Sequence, residues 1–254
     1  MTDQFRLDGK TALITGATGS MGSDFSRTLA AAGADVVLVS RTAETLEKLA
    51  AEINGANGGR ASVLACDLAD PVQAGGVADR ALAAAGGIDV VLHNAIPGQS
   101  GASSLLDSAP EEWSTAYDLI VWGCLALCKG LAPSMIERGS GSIITVISST
   151  GINPTPGYAA YGMAKGSLLL LTKYMAKEWG PSGIRANCLN PGGIAKPGEE
   201  AHMQEMTKKT GVADRISMRR VGLQQEVMGT AVFLASDASS YISGQVINID
   251  GGRI

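Results

Sequence analysis

Three side chains in this sequence could together pass a proton to or from an oxygen. Tyr161 and Lys165 stand four residues apart, and on a helix that spacing places them one turn apart on the same face. A lysine ammonium held there favours the phenolate and lowers the pKa of the tyrosine toward neutrality, so the tyrosine can exchange a proton near pH 7. Ser148 would give a hydroxyl to the same oxygen. The alternative is an ordinary surface pair, because the Y-x-x-x-K spacing is common by chance.

A glycine-rich turn near the N-terminus predicts a nucleotide site. Residues 11–15 form a short apolar run with β-branched members, as in a buried parallel strand, and a helical pattern follows over 20–32. The turn reads Gly16-Ala17-Thr18-Gly19-Ser20-Met21-Gly22. Strand, glycine turn and helix in this order let the backbone approach a pyrophosphate and offer it the free N–H groups of a helix N-terminus. The alternative is a glycine turn in an α/β protein that binds no nucleotide.

The rest of the chain alternates strands and helices without a linker or an internal repeat. The predicted strands are 11–15, 35–40, 61–66, 88–93, 143–148, 184–190 and 246–249, and the predicted helices are 20–32, 42–54, 71–85, 111–137, 158–180 and 224–236. This alternation predicts one α/β domain over residues 1–254, a Rossmann-type doubly wound parallel sheet of about seven strands with helices on both faces. Segments 94–110 and 192–220 follow carboxyl ends of strands, where open α/β sheets bind ligands.

Composition and charge disfavour several classes of protein. The net charge of −4 and the pI of about 5.2 leave no basic surface for nucleic acid. The chain starts without an apolar signal core and shows no apolar stretch approaching eighteen residues, so we expect a cytoplasmic protein with no membrane partner. We expect no metal, because His93 and His202 are isolated and the pair Cys124 and Cys128 has no further ligand nearby.

Together these features resemble the short-chain dehydrogenase/reductase family over essentially the whole chain. The matching motifs are Thr15-Gly16-x-x-x-Ser20-x-Gly22, Cys66-Asp67-Leu68, Asn94-Ala95, the trio Ser148, Tyr161 and Lys165, Asn190-Pro191-Gly192, and Ser243-Gly244-Gln245 with Asp250-Gly251-Gly252. The resemblance implies a nicotinamide cofactor held by Thr15, Gly16, Thr18, Ser20, Met21, Gly22, Ser40, Arg41, Asp67, Leu68, Asn94, Ala95, Ile96, Tyr161, Lys165, Pro191, Gly192 and Ile194. It implies that nicotinamide C4 passes a hydride and Tyr161 the proton, that Ser148 steadies the substrate oxygen, and that Lys165 tunes Tyr161 and binds the nicotinamide ribose.

The resemblance also implies a lid and an oligomer. Segment 192–220 looks like the mobile substrate lid of the family, and the alternative is a disordered surface insertion. The family usually assembles through its two longest helices, here predicted at 111–137 and 158–180. Their outer positions include Leu125, Leu169 and Tyr174, and such apolar exposure would be a liability on a monomer. We therefore expect a homotetramer, or at least a homodimer.

The end of the second strand favours NADP(H) over NAD(H). An NAD enzyme usually places an Asp or Glu there, which accepts a hydrogen bond from the ribose 2′-OH. This chain has Ser40-Arg41-Thr42 instead, and a guanidinium with two neutral donors suits a 2′-phosphate. The alternative for Arg41 is an exposed arginine at a strand end. Gly19 stands where many NADP-dependent members have a second basic residue.

The sequence departs from the family pattern at four positions. Ile120 stands where the family has an asparagine that holds a water beside the catalytic lysine, and an isoleucine side chain can neither donate nor accept a hydrogen bond. Ser20 replaces the central glycine of the loop, Ile96 the last glycine of the Asn-Asn-Ala-Gly turn, and Lys196 a threonine. All four lie where the family places the cofactor or its proton path, so they bear on turnover rather than on the fold.

Two functions are therefore predicted. The first is an NADP(H)-dependent oxidoreductase that interconverts a ketone and a secondary alcohol with Tyr161 as acid and base, and the intact trio favours it. The second is a catalytically weakened nucleotide-binding protein that acts as a sensor or partner subunit. A cofactor-free lyase or dehalogenase is a further alternative, but it would leave Lys165, Asp67 and Arg41 unexplained.

The substrate is predicted only by class. The candidate pocket residues are Ile96, Pro97, Gln99, Thr150, Ile152, Tyr158, Gly193, His202, Met203 and Met206. They are mostly apolar, which favours a medium-sized, mainly apolar carbonyl compound. Related reductases of acyl-carrier-protein thioesters dock their carrier through arginines. Gly139 and Ser182 occupy those places here, which disfavours a role in fatty-acid elongation.

Overall fold

A seven-stranded parallel sheet forms the centre of the computed structural model, which describes residues 3–98 and 103–253. The strands are β1 Thr11–Thr15, β2 Asp35–Ser40, β3 Ala61–Ala65, β4 Val90–His93, β5 Gly141–Val146, β6 Ile184–Pro191, β7 Ile194–Ala195, β8 Gly222–Leu223 and β9 Val246–Ile249. The sheet has the order β3-β2-β1-β4-β5-β6-β9, and β7 pairs with β8 in a separate ribbon. The Rossmann-type fold is confirmed, and the seven predicted strands agree with the sheet to within two residues at each end.

The order of the strands fixes where a ligand can bind. The chain winds outward from β1 through β2 to β3, then returns to β4 beside β1 and winds the other way through β5 and β6. The helices that follow β1 and β4 therefore diverge to opposite faces of the sheet and leave a crevice between them. Open α/β sheets bind ligands at this switch point, outside the carboxyl ends of the strands.

Helices cover both faces of the sheet. They are α1 Ser20–Ala31, α2 Ala43–Asn54, α3 Pro71–Ala85, α4 Pro110–Tyr117, α5 Gly123–Arg138, α6 Ala159–Trp179, α7 Glu200–Lys209 and α8 Gln224–Ala235. Successive strand residues point to opposite faces. Leu13 packs in the layer with α3 to α6, whereas Ala12 and Ile14 pack in the layer with α1, α2 and α8. A strand apolar on both sides is what a sheet covered by two helical layers requires.

The predicted helix 111–137 is not uniform. Between α4 and α5 the backbone forms a π-helical turn, Asp118–Trp122, a rare conformation that is often found at functional sites. The whole helical segment Pro110–Arg138 is long and apolar enough, by composition, to cross a membrane. Half of its most apolar window is buried inside the protein, as for the core helix of an α/β domain.

The segment 192–220 is folded, against the alternative of a disordered insertion. β7 and β8 pair in parallel, with Ala195 opposite Leu223, and α7 lies between them in the chain. None of these elements was predicted from the sequence. Thr207 is the single buried residue of α7, so its helical pattern is weak in the sequence. Its role as a substrate lid remains a prediction.

The outer faces of the two long helical segments only partly match their prediction. Leu125 and Leu169 are half-buried, and Leu169 packs against the core. The exposed large apolar side chains of these two segments are Trp122, Ile136, Met163, Leu170 and Tyr174. Apolar exposure therefore exists there, but Tyr174 alone of these was among the predicted residues.

Candidate active site

The turn between β1 and α1 is shaped by backbone packed against backbone. Gly16 has φ of +62°, and a Cβ built on it would lie 2.9 Å from the Cα of Ala95. A Cβ on Gly22 would lie 2.0 Å from the carbonyl oxygen of Gly16. Only glycine fits either position. The result is a groove at the N-terminus of α1 that brings backbone N–H groups to its surface.

A cavity of about 460 Å³ lies along this groove, at the carboxyl ends of β1, β2 and β4. Of the predicted cofactor residues, those that line it are Gly16, Thr18, Ser20, Met21, Ser40, Arg41, Asp67, Leu68, Asn94, Ala95, Ile96 and Ile194. Eight further lining residues are outside the predicted cofactor set: Gly19, Val39, Cys66, Pro97, Gly98, Leu119, Lys196 and Gln224. The first four adjoin a predicted residue in the chain and the last four do not. No local signal in the sequence points to Gln224.

Six predicted cofactor residues do not line this cavity. Tyr161 and Lys165 lie on α6, and packing explains the other four. Thr15 is fully buried, and Gly22 is covered by the Gly16 backbone. Pro191 is buried in the last position of β6. Gly192 packs against Asp250, whose Cα would lie 2.7 Å from an added Cβ. These four residues lie behind the residues that line the cavity and support them.

Thr15 ties the first and fourth strands together. Its Oγ1 accepts hydrogen bonds from the backbone N–H groups of Asn94, at 3.1 Å, and Ala95, at 3.2 Å. Since both lone pairs are then used, the hydroxyl hydrogen is left for His93 Nδ1, which lies 3.0 Å away. His93 must therefore carry its own hydrogen on Nε2. The Asn94 side chain also donates to the carbonyl of Gly16, so the two turns that border the cavity are held together.

The end of the cavity next to β2 carries a positive charge, which a phosphate needs. Ser40 lies at the end of β2, and its Oγ is 2.8 Å from Thr18 Oγ1. Arg41 follows it, is exposed and lines the cavity. No ion pair holds Arg41 within residues 3–98 and 103–253. Its guanidinium is therefore available to a ligand.

The trio Ser148, Tyr161 and Lys165 gathers where β5 ends and α6 begins. Lys165 is 1% exposed, and its Nζ donates to the Val146 carbonyl at 2.5 Å. The same Nζ lies 5.8 Å from the centre of the Tyr161 ring. Ser148 Oγ accepts from Thr150 Oγ1 at 2.9 Å, which leaves the Ser148 hydrogen for another acceptor. The predicted helical spacing of Tyr161 and Lys165 does place them on one face of α6.

Burial controls the charges of this group. It lowers the pKa of Lys165 to about 7 and raises the pKa of Tyr161, while a hydrogen bond with Ser148 acts in the opposite direction and does not outweigh it. A lowered pKa was predicted for Tyr161 from its spacing to Lys165. That prediction is wrong, because removing the phenolate from water outweighs the hydrogen bond with Ser148.

Ile120 occupies the π-helical turn beside this group. Its side chain is fully buried in an apolar cluster. His93 is also fully buried, and burial lowers its pKa to about 3, helped by the charge of Lys165 and opposed by the backbone of Ile120. His93 Nε2 has no hydrogen-bond partner of normal geometry within the described residues. The interior beside Lys165 thus holds an imidazole N–H group whose polar partner is the Ile120 backbone, in a bond of poor geometry, next to an apolar side chain.

The predicted substrate pocket is not one cavity. Ile96 and Pro97 line the cofactor cavity, and Gly193 lines a separate cavity of about 490 Å³ with Asp250. Thr150, Ile152 and Tyr158 line a third, of about 810 Å³, along the outer side of α6. His202, Met203 and Met206 line none of these three cavities, and Gln99 lies outside the described residues. The predicted residues all follow strand ends, and a position after a strand end does not determine which way a side chain points.

No group of three or more metal-ligating side chains lies within the part of the chain that the structure describes. The four cysteines are free and buried. Cys124 and Cys128 have their sulfurs 4.0 Å apart, one turn apart on α5. Burial and this contact raise the pKa of Cys124, which keeps it a thiol.

Comparison with known proteins gives matches over nearly the whole chain. Residues 16–253 match a family model described as enoyl-(acyl carrier protein) reductase. The chain is 37% identical to the oxidoreductase UcpA of Escherichia coli over 254 residues, covering 97% of this chain and 95% of that protein.

Solved structures agree with this chain in fold and in sequence. A gluconate 5-dehydrogenase from Burkholderia cenocepacia, in complex with NADP and tartrate, superposes with a TM-score of 0.89 at 33% identity, over 98% of this chain and 97% of that one. The L-sorbose reductase from Gluconobacter frateurii, complexed with NADPH and L-sorbose, has a TM-score of 0.88 at 30% identity, over 99% and 98% of the two chains.

Proposed function

Because the chain belongs to the short-chain dehydrogenase/reductase family, we propose that it is an NADP(H)-dependent oxidoreductase that interconverts a ketone and a secondary alcohol. The observation that carries the proposal is the position of the trio. Tyr161, Lys165 and Ser148 lie at the same carboxyl edge of the sheet as the cavity between β1 and β4. The family places a nicotinamide cofactor there, and both solved structures named above hold NADP or NADPH.

The residues of the cavity fit such a cofactor. The groove at Gly16 admits a ligand close to the backbone, and the N-terminus of α1 suits a pyrophosphate. Arg41 and Ser40 offer donors to a 2′-phosphate, with no acidic side chain at the end of β2 to repel it. Asp67 and Leu68 line the part of the cavity where the adenine would lie. When bound, the cofactor supplies or accepts the hydride.

Our mechanism assigns the proton to Tyr161. In carbonyl reduction the Tyr161 hydroxyl donates to the substrate oxygen, and in alcohol oxidation the phenolate takes that proton back. The Ser148 hydroxyl, which bonds Tyr161 in the structure, donates to the same oxygen when the substrate is in place and orients it. Lys165 is anchored by Val146, and its charge stabilises the phenolate as that forms. The raised pKa of Tyr161 keeps it protonated and ready to donate at neutral pH.

The second candidate is a nucleotide-binding protein with little turnover. Two observations favour it: Ile120 offers no polar side chain beside Lys165, and burial raises rather than lowers the pKa of Tyr161. The first would slow proton supply to Tyr161, and the second would slow alcohol oxidation, which needs the phenolate. The intact trio makes the enzyme the better supported of the two.

A panel assay separates the two candidates. Ketones, aldehydes and secondary alcohols, including sugar acids, ketoses and apolar ketones, are incubated with NADPH or NADH while the absorbance of the reduced nicotinamide is followed. Turnover of any member with NADPH supports the enzyme. Tight NADPH binding with no turnover supports the sensor, and binding of neither nucleotide overturns both.

We further propose that residues 1–254 act as one catalytic domain and that it assembles as a homodimer or homotetramer. The exposed apolar side chains of the α5–α6 surface, Trp122, Met163, Leu170 and Tyr174, support an interface. Light scattering at micromolar concentration tests this. A monomeric mass would contradict it.

A further inference from the structure

A hydrogen bond joins two parts of the chain that are 204 residues apart, at the edge of the cofactor cavity. Gln224 Nε2 donates to Ser20 Oγ at 2.6 Å. Ser20 is the first residue of α1, and Gln224 is the first residue of α8. Both line the cavity. Ser20 stands at a position where the chain departs from a glycine motif, and this bond gives its hydroxyl a defined partner.

The direction of that bond determines what Ser20 can do. An amide N–H can only donate, so the Ser20 oxygen is the acceptor and its own hydrogen remains free. Ser20 Oγ makes no second hydrogen bond among residues 3–98 and 103–253. Ser20 is exposed and lines the cavity. Its hydroxyl is therefore a donor for an acceptor that enters the cavity.

The amide oxygen of Gln224 lacks a hydrogen-bond donor. Gln224 is only 6% exposed, and its Oε1 is buried without a hydrogen-bond partner within the described residues. A buried acceptor left unpaired destabilises the protein by the full loss of its hydration. A donor that reaches this oxygen when a ligand binds would remove that penalty.

Lys196 lies beside Gln224 at the end of the β7–β8 ribbon. Lys196 follows β7 and Gln224 follows β8, and the two strands are parallel neighbours with Ala195 opposite Leu223. The two residues therefore leave the ribbon side by side, and both line the cavity. Lys196 is exposed and has no ion pair within the described chain.

The start of α8 is rigid enough to hold Gln224 in place. Glu226 accepts from the Leu223 N–H at 2.8 Å and from Arg220 through both carboxylate oxygens, at 2.6 and 2.8 Å. Leu223 and Gly222 are fixed in turn by β7, since Gly222 N–H donates to the Gly193 carbonyl. The side chain of Gln224 thus extends toward α1 from a helix N-terminus that these hydrogen bonds hold in place.

We propose that Gln224 and Lys196 form a clamp for the pyrophosphate of the bound dinucleotide, which ties the β7–β8 ribbon to the cofactor. In this clamp Gln224 is a positioning residue that directs the Ser20 hydroxyl to a phosphate oxygen. Lys196 binds the phosphate directly and donates to Gln224 Oε1. The Ser20 hydroxyl, the Lys196 ammonium and the N-terminus of α1 then all face the pyrophosphate, whose oxygens only accept hydrogen bonds. The proposal rests on the proposed nucleotide site and adds two residues to it.

The test uses the full chain and three probes. NADPH contains the pyrophosphate and the nicotinamide, ADP-ribose keeps the pyrophosphate without the nicotinamide, and 2′-AMP has neither. Dissociation constants are measured by calorimetry for wild type, Gln224→Ala, Lys196→Met and the double variant. Lys208→Met is the matched control, because Lys208 is an exposed lysine of α7 that does not line the cavity.

We expect each single variant to weaken NADPH and ADP-ribose about tenfold, the size of one hydrogen bond to a charged group, and to leave 2′-AMP unchanged. The double variant should lose less than the product of the two single losses, because the proposed bond from Lys196 to Gln224 Oε1 couples the two residues. Gln224→Glu should also weaken both pyrophosphate probes, since its carboxylate would accept the Ser20 hydrogen and repel the phosphate.

Unchanged ADP-ribose affinity in both single variants overturns the clamp, and so does an equal loss for 2′-AMP, which would indicate general damage to the cavity. If the loss of affinity in the double variant equals the product of the two single losses, Gln224 and Lys196 are not linked. These outcomes are distinct from failure of the proposed function, in which wild type itself binds neither NADPH nor ADP-ribose.

Discussion

The two halves of the candidate site lie at one edge of the sheet but are built in opposite ways. The cofactor half is shaped by backbone at Gly16 and Gly22, and its cation Arg41 is exposed. The proton half consists of side chains withdrawn from water, with Lys165 and His93 fully buried. Exposed charges are screened by salt and act mainly on binding. Buried groups have shifted pKa values and act on chemistry.

This difference indicates which variants should separate binding from turnover. A change at the exposed end should alter which nucleotide binds, with little effect on the protonation of Tyr161. A change in the buried end should alter rate or pH dependence, with little effect on nucleotide affinity. The predictions below test that separation, from the largest expected effect to the smallest.

Tyr161→Phe should lower turnover about a thousandfold, within the range typical of a lost general acid. Only the hydroxyl is removed, so the ring still fills its place beside Lys165 and NADPH affinity should stay within about twofold. Steady-state rates and a binding titration measure the two effects. Tyr241→Phe, at a fully exposed tyrosine in another cavity, is the control and should not change the rate. Full activity in Tyr161→Phe would show that the proton takes another route.

Arg41→Ala should weaken NADPH binding by roughly tenfold to a hundredfold, the range for a hydrogen bond to a charged group, and leave NADH within about twofold. Arg41→Asp should reverse the preference, because a carboxylate repels the 2′-phosphate and accepts from a 2′-OH. Titrations at low and high salt measure both, and the loss in Arg41→Ala should shrink as salt rises. Arg60→Ala, at another exposed arginine, is the control. Tighter NADH than NADPH binding in wild type would contradict the NADP(H) assignment.

Lys165→Met should abolish turnover, and it should also remove a pH dependence of the free energy of unfolding. The folded pKa of Lys165 is about 7, below its ordinary value of 10.5. Between these pH values the unfolded chain binds the proton and the folded protein does not, so the contribution of Lys165 to stability rises with pH. Wild type should therefore gain stability relative to Lys165→Met, by up to about 1.4 kcal/mol per pH unit. Urea unfolding of both proteins from pH 7 to 10, without nucleotide, measures this difference. Parallel plots of unfolding free energy against pH would contradict the lowered pKa of Lys165.

The fold could be predicted almost completely from the sequence, whereas the site could be predicted only in part. Strands such as 11–15 are apolar on both faces, and this pattern is local, so it is visible in the sequence. The contact of Ser20 with Gln224 spans 204 residues and leaves no local pattern. The direction of the Tyr161 pKa shift depends on burial, which spacing along a helix does not reveal. α7 was missed because a helix with one buried residue has little apolar periodicity.

The smallest expected effect concerns Ile120, where the proton half lacks a polar side chain. Because Thr15 fixes the His93 tautomer and the His93 Nε2–H has no partner of normal geometry among the described residues, it can donate to an amide oxygen introduced by Ile120→Asn. That bond would offset part of the cost of burying an amide, which is about 1–3 kcal/mol when unpaired. We expect a modest loss of stability, unchanged NADPH affinity, and turnover that is level or raised up to about tenfold.

Ile120→Val is the matched control for Ile120→Asn, since it keeps the site apolar and should change neither rate nor affinity. Adding His93→Leu to Ile120→Asn should lower stability further than the two single changes predict, because the introduced amide then loses its donor. Thermal unfolding of the four variants measures this coupling. A rate that falls in Ile120→Asn while NADPH affinity is kept would show that Tyr161 is served by a dry interior, with protons reaching it from the substrate side.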